Sequence, residues 1–144
     1  MRCIVQRVLE AQVEVENQVI GSIKKGYLIY VGIHHADDEK LIQKMAQKII
    51  ALRIFEDENE KMNLNLKQVS GEILSISQFT LYGDTKGNNR PSFIEAAKPE
   101  QATVLYNKFN ELLETDCHVE KGLFGAHMKI KSINDGPVTI IIEM

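Results

Sequence analysis

Glu72-Ile73-Leu74-Ser75-Ile76-Ser77-Gln78-Phe79-Thr80-Leu81 is the stretch whose reading decides the fold. Residues 72–76 form a short apolar run of the kind a buried strand presents. Residues 77–81 carry it into the polar loop Tyr82-Gly83-Asp84-Thr85-Lys86-Gly87-Asn88-Asn89. Two hydroxyls, an amide and an aromatic ring therefore stand where a strand ends. A rigid strand end beside a polar loop suits chemistry, because the scaffold fixes the groups while the loop admits substrate. Ser, Gln and Thr are also ordinary strand-end residues, and Phe79 also suits a core, so the segment alone leaves both readings open.

Upstream, residues 27–33 are a second uninterrupted apolar run and read as a strand buried on both faces. Residues 11–16 alternate apolar and polar, the pattern of a half-exposed strand, and Asn17-Gln18 turns them into residues 19–23 as a hairpin. After His34-His35, the acidic segment Asp37-Asp38-Glu39 starts a helix by capping its free N–H groups. Leu41, Met45, Ile49 and Leu52, joined by Ile42 and Ile50, form the helix's apolar stripe. Residues 53–55 and 62–66 read as short strands either side of a charged turn.

Downstream, the glycine- and asparagine-rich loop to Arg90-Pro91-Ser92-Phe93 is a candidate substrate-facing loop. Pro99 opens a second helix, with Ala102, Leu105, Tyr106, Phe109, Leu112 and Leu113 as its stripe and Lys98 as a poor N-cap. Residues 117–120 read as a strand. Phe124, set among Gly122 and Gly125, is either a packing plug or a stacking platform for a base. Met128, Ile130 and Ser132 alternate with Lys129 and Lys131 as a strand with one basic face. Asn134-Asp135-Gly136-Pro137 is expected to turn the chain into a last strand over residues 138–142. With strands outweighing two helices, the pattern predicts a single α+β domain over residues 1–144. Its sheet is expected to be curved, barrel-like and largely antiparallel or mixed, with the two helices packed on it.

Hydrophobic and charged contents of 44% and 26% are those of a soluble globular chain, and no apolar run approaches membrane-spanning length. The N-terminus lacks a signal peptide's pattern, and two distant cysteines, Cys3 and Cys117, without CxxC spacing fit inert thiols in a reducing cytoplasm. The formal charge of -3 argues against non-specific gripping of duplex nucleic acid but permits recognition of a short single-stranded end.

No GxSxG, GxxxxGK[ST] or HExxH motif is present. Ser77 or Thr80 would need a base to act as nucleophile, and His118 and His127 are the free histidines. His34-His35 has no Cys or third His placed to complete a metal site, so no metal or cofactor is expected. Gly136-Pro137 reads as a turn, and as a rigid pair of carbonyls able to accept from an ammonium group if its bond is cis. A site built mainly from main chain would account for the missing triad.

Gln6-Arg7-Val8, residues 77–81, Arg90-Pro91-Ser92-Phe93 and Asn134-Asp135-Gly136-Pro137-Val138-Thr139 together resemble the D-aminoacyl-tRNA deacylases. The likeness extends to residues 122–126 and to residues 53–65, in matching order along nearly the whole chain. It implies a homodimer with active sites at the interface. It also implies hydrolysis of the ester joining a D-amino acid, or glycine, to the 3′-terminal adenosine of tRNA. Gly136-Pro137 would be a cis dipeptide inserted into the partner subunit's pocket, holding the α-ammonium and excluding an L side chain, with Arg7 bracing it. Ser77, Gln78, Phe79 and Thr80 would line the pocket, the N–H groups near Phe79 and Thr80 would form the oxyanion hole, and Phe124 would lie near the terminal adenine. Two alternatives remain: a sister deacylase that removes a misplaced L-amino acid, and a non-enzymatic binder of tRNA 3′ ends that stacks bases on Phe79 and Phe124. A small-molecule amidase or esterase dependent on Thr80 is a third.

Overall fold

The computed structural model describes residues 1–144. Its frame is one long strand, β1 (Arg2–Val15), whose inward residues Cys3, Val5, Val8, Ala11 and Val13 are buried. On one edge, residues 2–8 of β1 pair antiparallel with β3 (Gly26–Gly32) and residues 11–15 pair with β2 (Gln18–Ile23). The other edge carries β8 (Lys129–Glu143), antiparallel from Arg2↔Glu143 to Glu14↔Lys129. β6 (Glu72–Ser77) lies parallel to β3, and β7 (Val119–Lys121) lies parallel to β6, so the sheet is mixed. It curls until β2 nears β7: a Cβ added at Gly21 would stand 3.3 Å from Glu120 Cβ. The result is the expected α+β, nearly closed barrel-like sheet with two helices.

The apolar character of β3 and of the middle of β6, broken only by Ser75, follows from burial on both faces. Tyr27, Ile29 and Ile73 face the helices, whereas Leu28, Leu74 and Ile76 meet Val8, Val13 and Ile23 in a separate cluster. Helix α1 (Glu39–Ala51) starts where the Asp38 carboxylate accepts from Leu41 N–H at 2.9 Å, a cap worth about 1 kcal/mol. It buries Ile42, Met45, Ala46 and Ile49. Helix α2 (Pro99–Glu114) buries Ala102, Leu105, Tyr106, Phe109 and Leu113 and has no side-chain cap at Lys98.

Three local expectations are corrected. β1 begins at Arg2 rather than near residue 11. The segment after α1 is reduced to a small separate pair, β4 (Phe55–Glu56) with β5 (Met62–Leu64). Most consequentially, residues 134–137 do not reverse the chain. β8 runs through them, because both flanks pair with the same strand β1 in the same direction. The ladder shifts register around Val8, and Asn134 Nδ2 bridges the gap by donating to Arg7 O at 2.9 Å and Val138 O at 3.0 Å. The segment is a bulge in a continuous strand, which throws its tip outward.

Cys3 is buried and Cys117 half-buried, and neither is in a disulfide. Burial pushes their thiols up to about 12 and about 11, so thiolate chemistry is suppressed at both. No helix is long and apolar enough to cross a membrane.

Candidate active site

The C-terminal end of β6 is where the sheet hands over to irregular chain. Gln78 N–H donates to Val31 O at 2.8 Å as the last bond of the β3–β6 pairing. A 3-10 turn over Phe79–Tyr82 follows, closed by Leu81 N–H to Gln78 O and Gly83 N–H to Thr80 O. The first N–H groups of any helical turn point outward without intrahelical acceptors. Here the Phe79 and Thr80 N–H groups have no acceptor in the chain.

The turn is braced on several sides. Arg2 donates to the Leu81 carbonyl and lies over the Tyr82 ring at 5.0 Å from its centroid. The His34 ring stands 5.2 Å from Tyr82. Phe79 is 57% exposed, so it is not a core residue, and it packs edge-on against Phe93 at 5.0 Å. Thr80 is exposed, and its hydroxyl accepts from Gln78 Nε2. No base takes the Thr80 proton: His118 pairs with Glu120 at 2.9 Å, and His127 makes no hydrogen bond to Ser77 or Thr80.

A cavity of about 610 Å³ opens beside the turn. Ser77, Gln78 and Phe79 line it together with Tyr106, Phe124 and Lys98. The Tyr106 hydroxyl donates to Ser75 O at 2.8 Å, and its ring meets Phe124 at 6.1 Å, so the Phe124 ring is held from beneath by the helix. Tyr106 and Lys98 were legible in the sequence only as a helix-stripe residue and a helix start. Arg2 carried no signal at all, because its acceptor lies 79 residues away.

Arg7, Gly136 and Pro137 do not line this cavity. Arg7 is 4% exposed inside the barrel wall and donates to Ile54 O at 2.8 Å. Its Nε lies 2.9 Å from Asp135 Oδ2, an ionic contact in which the N–H does not point at the oxygen. Its Nη2 reaches Glu56 at 3.4 Å. Above it, the cis Gly136–Pro137 bond forms the exposed tip of the bulge, with Gly136 at φ +114°.

His34, His35 and Glu95 supply a three-ligand cluster that the sequence did not show, since Glu95 comes from the loop before α2. Ala36 N–H donates to His34 Nδ1 at 3.0 Å, so the proton of the neutral ring sits on Nε2, where it is donated to Glu95 at 2.7 Å. The cluster ties the loop to the end of β3, and the His34 hydrogen bond holds the Glu95 carboxyl below its ordinary range.

The family model described as D-Tyr-tRNA(Tyr) deacylase matches residues 4–143. A D-aminoacyl-tRNA deacylase of Exiguobacterium sp. is 54% identical, over 99% of this chain and 98% of that protein. Those of Lactobacillus gasseri and Thermotoga petrophila are 52% and 51% identical, covering 100% and 99% of this chain and 100% and 97% of theirs. Among solved structures, the c-Myc DNA Unwinding Element Binding Protein superposes with a TM-score of 0.95 at 39% identity, over 100% of this chain and 99% of that one. A probable eukaryotic D-amino acid tRNA deacylase shares the fold, with a TM-score of 0.86 at 15% identity over 99% of this chain and 98% of that one.

Proposed function

The chain belongs to the D-Tyr-tRNA(Tyr) deacylase family, and from that premise we propose that it hydrolyses the ester between a D-amino acid and the 3′-terminal adenosine of tRNA. The observation that carries the reaction is the pair of unpartnered N–H groups at Phe79 and Thr80, opening beside a largely apolar cavity. Water attacks the ester carbon, and the developing oxyanion accepts from these two groups, whose orientation the 3-10 turn has already fixed. The acyl C–O bond then breaks, a proton passes to the departing ribose oxygen, and free amino acid and tRNA result. The neighbouring ribose hydroxyl assists the water. Phe124 supports the adenine on its Tyr106-backed face, and Ser77 and Gln78 wall the pocket.

Chirality is read by Gly136 and Pro137. Their exposure, and their absence from their own chain's cavity, support a homodimer in which each tip enters the partner's pocket. The free edge of β8 and the exposed Ile133 and Ile141 side chains support the same assembly. The tip's carbonyls accept from the substrate α-ammonium and leave no room for an L side chain. Glycine has no side chain to exclude, so glycyl esters pass the same filter. The site uses main chain and water and calls on no metal; cytoplasmic aminoacyl-tRNA is the substrate.

Thr80→Ala separates this route from a covalent one. With no base at the hydroxyl, kcat should stay within about threefold of the parent, whereas removing a true nucleophile costs about a thousandfold or more. Single-turnover deacylation of D-tyrosyl-tRNA reads the difference, and a thousandfold loss with tRNA binding intact would establish Thr80 as nucleophile.

A further inference from the structure

The chain carries 20 acidic residues against 17 lysines and arginines, yet no carboxylate lines the cavity and Lys98 is its sole lysine or arginine. Lys98 has no acidic partner within ion-pair distance, unlike Lys67, Lys121 and Lys131, which are all engaged. Glu95, the acid nearest to it on the preceding loop, is occupied by His34 and His35. An unpaired cation at the edge of an apolar, acid-free hollow is matched to a ligand with an aromatic body and one anionic group.

A nucleoside joined to a longer strand has that form. Continuing the deacylase reading on which this inference rests, we propose that Lys98 binds the phosphodiester on the 5′ side of the terminal adenosine, and so sets where the RNA strand leaves the cavity. The alternative direction is a second hollow of about 420 Å³, which Ala126 and His127 line together with the cavity. Glu14 and Glu16 line that hollow beside Lys129, whose Nζ donates to Asn17 at 2.9 Å. A phosphate leaving there would face the unpaired Glu16 and a Glu14 already bonded to Lys131, and one leaving past Lys98 faces no carboxylate that lines the cavity.

The test compares two esters that differ only in the phosphate-bearing strand, D-tyrosyl-tRNA and D-tyrosyl-adenosine. Lys98→Ala should lower kcat/KM for the tRNA ester about threefold to tenfold, through KM, and leave the adenosine ester unchanged. The dependence of log kcat/KM on log salt should become shallower by about 0.7, the loss of one phosphate contact to a single strand. Lys98→Arg should restore both quantities. Equal losses on the two esters, or no loss on the tRNA ester, would overturn the phosphate assignment. Failure of the parent protein to hydrolyse either ester would instead overturn the deacylase reading itself.

Discussion

Arg7→Met is expected to lower stability by about 3 kcal/mol and to reduce deacylation about a hundredfold at temperatures where the variant is still folded. The two effects have one origin. Arg7 is 4% exposed and ties β1 to two other segments, through the Ile54 carbonyl and Glu56 carboxylate around β4 and through Asp135 beside the bulge tip. Methionine fills the space but leaves the Ile54 carbonyl without a donor and Asp135 without its counter-charge. The carboxylates are partly exposed and can recover water, which holds the stability loss at the lower end of what breaking a buried pair costs. The activity loss arises because the tip is no longer held, and a displacement of about 1 Å at a substrate-positioning group is worth about two orders of magnitude. Arg7→Lys should recover part of the stability and little of the activity, since an ammonium cannot reproduce the fork that spans several acceptors. Urea melts and kcat/KM for D-tyrosyl-tRNA read both outcomes. Parent-like activity in folded Arg7→Met would separate Arg7 from the site.

Gly136→Ala should act on selectivity as well as rate. At φ +114° an alanine is strained wherever its Cβ points. Here the Cβ would also stand 2.8 Å from Val138 Cγ2 and 3.1 Å from Arg7 Nη2. Both neighbours are buried, so the tip yields rather than the wall. The strain is worth about 1–3 kcal/mol of local stability. The displaced carbonyls should lose their hold on the substrate ammonium, so the rate on the D ester falls about a hundredfold and the D-over-L ratio contracts. A variant that slows both esters equally would mean that the tip supports the fold without reading chirality.

The elements with simple periodicity were legible before the structure. β3 and β6 announce themselves because burial on both faces removes every polar residue from residues 27–31 and from all but Ser75 of residues 73–76. α1 is fixed by the spacing of Ile42, Met45 and Ile49 behind the Asp38 cap. The N-terminal half of β1 was hidden because Arg7, a charged residue, is buried there while Ile4 faces partly outward, which scrambles the alternation. β8 was cut in two because Asn-Asp-Gly-Pro is turn chemistry. Only the pairing with β1, more than a hundred residues away, shows that the strand continues. The motif residues 77–80 were located correctly at a strand end, but their function could not be read from spacing. The proposed oxyanion site would rest on main-chain N–H groups at the start of the 3-10 turn, which carry no side-chain signature. Glu95 and Arg2 likewise act through partners 61 and 79 residues distant.

The most direct test of the whole account is the rate of deacylation of D-tyrosyl-tRNA beside L-tyrosyl-tRNA, with purified protein and chelator present. Rapid loss of the D ester with the L ester spared is the predicted result. Equal hydrolysis of the two would contradict chiral selection at Gly136-Pro137, and binding of the tRNA without turnover of either would leave a 3′-end binder in place of an enzyme.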